Sequence, residues 1–173
     1  MSDKKQFAVT KKTFIVTAAI TIAVLSCVTV VIILSQQRSS NTDLNKNTEQ
    51  PQFTTVLPEE ENINKLGGWI RVSPPNTEPV FAYNDTIGNV SINVSQQPLP
   101  ESFKGAVDTE VAELAAQYSA TKKINAGLVK AYIGISTKGP QSVIFTKNNL
   151  LILIKSQQKI DDKDWSKYIE SLN

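Results

Sequence analysis

The residue types that could do chemistry are few. The chain of 173 residues has no histidine and one cysteine, Cys27. A Ser-His-Asp or Cys-His arrangement has no members to draw on, because such a nucleophile needs a base within hydrogen-bond reach. The usual zinc ligand and the usual pH switch are missing with it. Serines and lysines are plentiful, but no spacing singles out a Ser-Lys dyad. Paired carboxylates can hydrolyse glycosides across a cleft. Here the acids fall on expected helix faces and termini, where capping and solvation account for them. Glu59-Glu60-Glu61 is a candidate calcium run, though three adjacent acids in a polar stretch are ordinarily just solvated. There is no GxxxxGK[ST] phosphate loop and no GxGxxG after a strand, and Gly67-Gly68 alone reads as a hinge. No catalytic residue, metal or cofactor is assigned, and the chain is expected not to be an enzyme.

Two weaker signals remain. Phe81, Tyr83, Phe103 and Tyr132 are candidates to line an apolar pocket under a twisted sheet, but aromatic side chains more often fill a core. Asn84, Asn89 and Asn93 each open an Asn-x-Ser/Thr triplet, an acceptor only in a cell that glycosylates exported chains.

The organising stretch is Thr13 to Leu34, TFIVTAAITIAVLSCVTVVIIL, with no charge, proline or glycine. Its length at the helical rise is about 33 Å, enough for a hydrocarbon core of about 30 Å. We expect a transmembrane helix over 13–35. Lys4, Lys5, Lys11 and Lys12 precede it against a single acid, Asp3, whereas SQQRSSNTD follows with one cation, Arg38. Lysine-rich short flanks stay cytoplasmic, so residues 1–12 form an inner tail suited to an anionic leaflet, and the rest lies outside. The run is longer than a signal-peptide core and has no small-x-small cleavage site after it. Val24-Leu25-Ser26 before Cys27 loosely resembles a lipobox, but apolar residues continue through Leu34, which favours Cys27 as a small residue inside the helix. Ala19, Ala23 and Cys27 fall four apart on one helix face, a spacing that permits close helix pairing.

Residues 36–65 are rich in Ser, Asn, Gln, Thr and Glu and are expected to be a disordered polar stalk. Its reach as a random chain is about 30 Å. Residues 35–173 carry a net charge of −1, so nothing suggests a nucleic-acid footprint.

Residues 66–173 read as a folded domain. Trp69–Ser73 alternates and stops at Pro74-Pro75. Val80–Tyr83 is a second strand, with a turn expected at Asn84-Asp85-Thr86. Val90, Ile92 and Val94 alternate with polar residues as a third. Val107, Val111, Leu114, Ala115 and Tyr118 recur at helical spacing. Lys122–Asn125 begins a fourth strand, broken at Gly127. Val129–Ile135 alternates cleanly before a turn at Lys138-Gly139-Pro140. Ser142–Lys147 and Leu150–Lys155 flank Asn148-Asn149, a tight hairpin signal. Leu150–Ile154 is apolar on both faces and is expected at the centre of the sheet, since at an edge it would invite aggregation. A last helix starts at Asp161 or Asp162, good N-cap types, and carries Trp165, Tyr168, Ile169 and Leu172. The expectation is α+β: an antiparallel sheet of about 6–7 strands with two packed helices, in the order βββαββββα.

That layout resembles small extracytoplasmic domains of the PsbP-like superfamily, and uncharacterised domains on bacterial single-pass membrane proteins. The resemblance covers residues 66–173. It is carried by the Trp69 strand, the hairpin ending in QQPLP, the helix VAELAAQY, the strands AYIGIS, KGPQSVIF and NNLLILIKS, and the closing DDKDWSKYIESL. It implies a sheet flanked by helices and a binding or accessory role, and brings no site residues with it.

The sequence therefore supports a single-pass, membrane-anchored, non-enzymatic binding or accessory domain of the cell envelope. Its expected partners are the lipid bilayer and an envelope protein, or a second copy through the membrane helix. One alternative is a transmembrane sensor or anti-sigma-like regulator acting through helix pairing. Another is a carrier of an apolar ligand.

Overall fold

A computed structural model describes residues 49–173. The expected inner tail, the membrane span with Ala19, Ala23 and Cys27, and stalk residues 36–48 lie outside the described residues. Among the described residues no helix is long and apolar enough to cross a membrane.

The elements are β1 (Ile70–Arg71), β2 (Phe81–Ile87), β3 (Val90–Pro98), a 3-10 turn (Glu101–Phe103), α1 (Val107–Gln117), β4 (Lys122–Ala126), β5 (Val129–Ile135), β6 (Gln141–Lys147), β7 (Leu150–Ser156) and α2 (Asp162–Ser171). The strands form one seven-stranded antiparallel sheet in the order β1-β2-β3-β7-β6-β5-β4. This is the α+β fold expected. The strand that is apolar on both faces, β7, sits in the middle, where each face is covered and no edge is offered.

Alternation then sorts side chains between two cores. On one face, Tyr83, Val94, Ile154, Val143 and Ile133 stand in one register row across five strands, all at most 1% exposed. Trp165, Tyr168 and Ile169 of α2, with Leu172 just after it, cover this face. The opposite face packs Tyr132, Ile144 and Leu151 against Phe103, Val111, Leu114 and Ala115 from α1 and the turn before it. Each large aliphatic or aromatic side chain so buried contributes roughly 1.5–3 kcal/mol. Gly134 on β5 lets the chain after α1 approach closely. A Cβ there would sit 3.1 Å from Ala120 Cα and Ser119 O.

Asn148 and Asn149 both take positive φ, 52° and 59°, as the β6–β7 hairpin requires. The expected turn at Asn84-Asp85-Thr86 is instead the outer half of β2, and the chain reverses at Gly88-Asn89, where Gly88 has φ 61°. Alternation explains the error. Asn84 and Thr86 sit on the wet face, and Asn93 Nδ2 donates to Asn84 Oδ1 across the ladder at 3.1 Å. Turn-forming residue types were thus serving as solvent-facing strand residues. The first strand is shorter than Trp69–Ser73, because the Trp69 and Val72 side chains are buried while only Ile70 and Arg71 pair in the sheet. Asp161 stands at the N-cap of α2 without a side-chain cap bond; its carbonyl instead accepts from Asp164 and Trp165 N–H.

The folded part also begins earlier than Leu66. Val56 is fully buried, and Phe53, Leu57, Ile63 and Leu66 pack on the larger core. Leu57 and Asn173 exchange two backbone bonds, 3.0 and 2.9 Å, and Glu59 N donates to Ser171 O at 2.8 Å. Scattered apolar residues in a polar stretch give no periodic signal, yet each finds a place against the sheet.

Candidate functional site

The helix α2 determines where a site can form. One of its sides follows β4: Lys122 Nζ meets Asp162 at 2.6 Å and Ser166 Oγ donates to Asn125 O at 3.2 Å. Another side reaches β2, near the other end of the sheet, where Tyr168 Oη donates to Asp85 Oδ2 at 2.8 Å. The sheet therefore curls until β2 and β4 flank the same helix.

Contact with β2 is incomplete. Between the β2–β3 hairpin and α2 runs an open groove of about 530 Å³, lined by Thr86–Val90 on one side and by Lys159–Asp161, Asp164, Lys167, Tyr168 and Ser171 on the other. Asp161, Asp164, Tyr168 and Ser171 recur at helical spacing, so one stripe of α2 forms the wall. Ile87, Val90 and Ile160 give it an apolar part. Lys159, Lys167, Asp161 and Asp164 give it a charged rim of mixed sign.

Tyr168 on its wall belongs to a polar chain that runs into the core. Tyr83 Oη lies 3.4 Å from Tyr168 Oη. Burial pushes both phenols well above the ordinary value of 10.0, and for Tyr168 the neighbouring Tyr83 and Asp85 push further the same way. A phenol so held keeps its proton and acts as a donor, not as a base or nucleophile. Asp85 uses its other oxygen to accept from Thr86 N–H at 2.7 Å. Every buried side-chain nitrogen and oxygen among the described residues has a partner, so this chain also satisfies the polar atoms that Tyr83 and Tyr168 bring into the core.

The four aromatics expected around one pocket are separated. Phe81 and Tyr83 belong to the core under α2, with Trp69 edge-on to both at 6.5 and 5.3 Å. Phe103 and Tyr132 belong to the core under α1, on the other side of the sheet. No common cavity is available to them, because the sheet separates the two pairs: Phe81 and Tyr83 project from β2 on one face, while Tyr132 of β5 projects on the other, where Phe103 of the 3-10 turn packs. Of the three triplet asparagines, Asn84 and Asn93 bond to each other on the open face, and Asn89 is exposed at the hairpin tip beside the groove. Among the described residues no group of three or more His, Cys, Asp or Glu is placed to hold a metal ion.

A smaller concavity of about 320 Å³ lies at the start of α1, lined by Asp108, Val111, Leu128, Val129, Lys130, Tyr132 and Thr146. The Asp108 carboxylate, 2.6 Å from Lys130 Nζ, raises the lysine's pKa and closes that pair upon itself.

Sequence reasoning missed Asp85 and Tyr168. Asp85 was hidden by the turn assigned to it. Tyr168 was seen only as a core residue beside Trp165. The remaining signal was a lone acid flanked by alternating apolar residues, Tyr83 and Ile87, which marks an acid on an inward-facing row. Comparison of the chain with family models, with curated proteins and with solved structures finds no match.

Proposed function

We propose that this chain is a membrane-anchored, non-enzymatic binding or accessory domain of the cell envelope, with a cytoplasmic N-terminus and its folded part outside. The observation that carries the binding role is the groove between the β2–β3 hairpin and α2, open to solvent while both cores are filled. Its rim offers charge of both signs beside the apolar Ile87, Val90 and Ile160, an arrangement suited to recognition. The anchoring role is supported by the uncharged Thr13–Leu34 run and the lysines before it. The PsbP-like resemblance is part of the same proposal, and its support is the order of strands and helices.

The sensor alternative has one specific observation in its favour. The segment leading in from the N-terminal side is tied to the core at Val56, so a change in the domain has a fixed point at which to act on it.

The test is location. The full chain should remain in the membrane pellet after an alkaline wash, and an epitope placed after Asn173 should be reached from outside intact cells. Recovery of the intact chain in the soluble fraction, or an epitope reached only after the cells are opened, would sink the reading.

A further inference from the structure

The two ends of the sheet are treated differently. At the β4 end, Lys122 and Lys123 place charge on the strand, Ser166 Oγ bonds the Asn125 carbonyl, and α2 lies alongside. Those are devices that keep an edge from pairing with another chain. At the other end, β1 covers only the first two residues of β2, pairing Ile70 with Ala82 and Arg71 with Phe81. Among the described residues, β2 has a strand on one side only from Tyr83 to Ile87.

Register shows which backbone groups face outward there. Val72 N–H donates to Val80 O at 2.9 Å, and Ile70 pairs with Ala82, so even-numbered residues of β2 turn their backbone groups away from β3. The Ile87–Val90 pair closing the hairpin agrees, since it sets the odd-numbered residues toward β3. Asn84 and Thr86 thus present an unpaired edge, and both are exposed. The Thr86 N–H is occupied by Asp85 Oδ1, while the Asn84 N–H and the Asn84 and Thr86 carbonyls have no strand to bond among the described residues. At Thr86 this edge borders the groove, with α2 as its far wall.

A strand edge with a helix across from it is the geometry of β-strand addition, in which main-chain bonds hold an extended peptide and alternate side chains select it. We propose that the groove takes an extended peptide of a partner protein, added to the outer half of β2 as an eighth strand. One aliphatic side chain of the peptide packs on Ile87, Val90 and Ile160. A basic side chain meets Asp161 and Asp164, which are one helical turn apart on the wall and in no ion pair among the described residues. The proposal rests on the reading of the chain as a binding domain and names the class of its partner.

The test uses the full chain in detergent micelles against a displayed library of random nonapeptides. Selected peptides should combine alternating aliphatic residues with at least one lysine or arginine, and should shift the backbone amide signals of Asn84 and Thr86. Thr86→Pro replaces an outward amide that is not part of the β2–β3 ladder by a ring carbon, so the hairpin is retained and an added strand is sterically blocked. It should weaken selected peptides about tenfold or more, with unchanged tryptophan emission. Asp161→Asn with Asp164→Asn should weaken them without touching the edge, which keeps the test decisive if the proline variant fails to fold. No enrichment, equal binding to Thr86→Pro, or selection indifferent to peptide charge would overturn the proposal. Any of these leaves the membrane location standing, and a soluble chain that still selected such peptides would overturn only the location.

Discussion

One buried side chain, Gln96, bonds both backbone groups of Val56. Its Oε1 accepts from Val56 N–H at 3.0 Å and its Nε2 donates to Val56 O at 2.6 Å. Gln96 is fully buried in a row otherwise made of Phe81, Ile152 and Phe145. A polar residue persists there because it substitutes for the neighbouring strand that Val56 lacks.

Gln96→Leu should therefore orphan two backbone groups at once. Each buried, unsatisfied group costs about 1–3 kcal/mol, so urea unfolding should show a loss of about 2–6 kcal/mol. Hydrogen exchange should localise it: the Val56 amide loses protection while that of Ile152 in β7 keeps it. Equal loss at both positions would mean that residues 53–57 are not held separately.

The phenols of Tyr83 and Tyr168 set the alkaline limit. Both are raised in the folded state above 10.0, so the folded protein keeps protons that the unfolded chain releases. Stability is then fully present below about pH 10 and falls as pH rises above it, by about 1.4 kcal/mol per pH unit for each tyrosine. Tyr168→Phe should reduce that slope to about half in urea titrations between pH 10 and the onset of alkaline unfolding. A slope unchanged by the substitution would contradict the assignment.

Gly134→Ala adds a methyl within 3.1 Å of the backbone at Ser119 and Ala120. Neither contact is a flexible side chain that can swing away. Overpacking of this kind costs about 1–3 kcal/mol, and thermal unfolding should report it. A melting temperature equal to that of the parent would show that the turn after α1 yields freely.

Asn149→Ala places a residue with no local side-chain hydrogen bond at φ 59° in the β6–β7 turn. The left-handed region costs about 1–2 kcal/mol for an ordinary residue, and Asn149→Gly relieves it. The two variants should move the unfolding midpoint in opposite directions.

The central strand and the Asn148-Asn149 hairpin were legible because their signals are local. Five apolar residues in a row admit one place in a sheet, and paired asparagines tolerate the turn's geometry. The groove was not legible. Its walls, Thr86–Val90 and the stripe Asp161, Asp164, Tyr168 and Ser171, lie far apart in the chain and meet only because the sheet curls around α2. Asp85 was misplaced for a related reason, since Asn, Asp and Thr favour turns locally, and only pairing with β3 decides otherwise. The packing of Val56 and Leu57 escaped notice because their partners, Gln96 and Asn173, are long-range.

The exchange of bonds between Leu57 and Asn173 has a bearing on biosynthesis. The partner of Leu57 is made only after every strand of the sheet has been synthesised. Nascent chains stalled before Asn173 can zip the hairpins but cannot seal the beginning of the domain to its end.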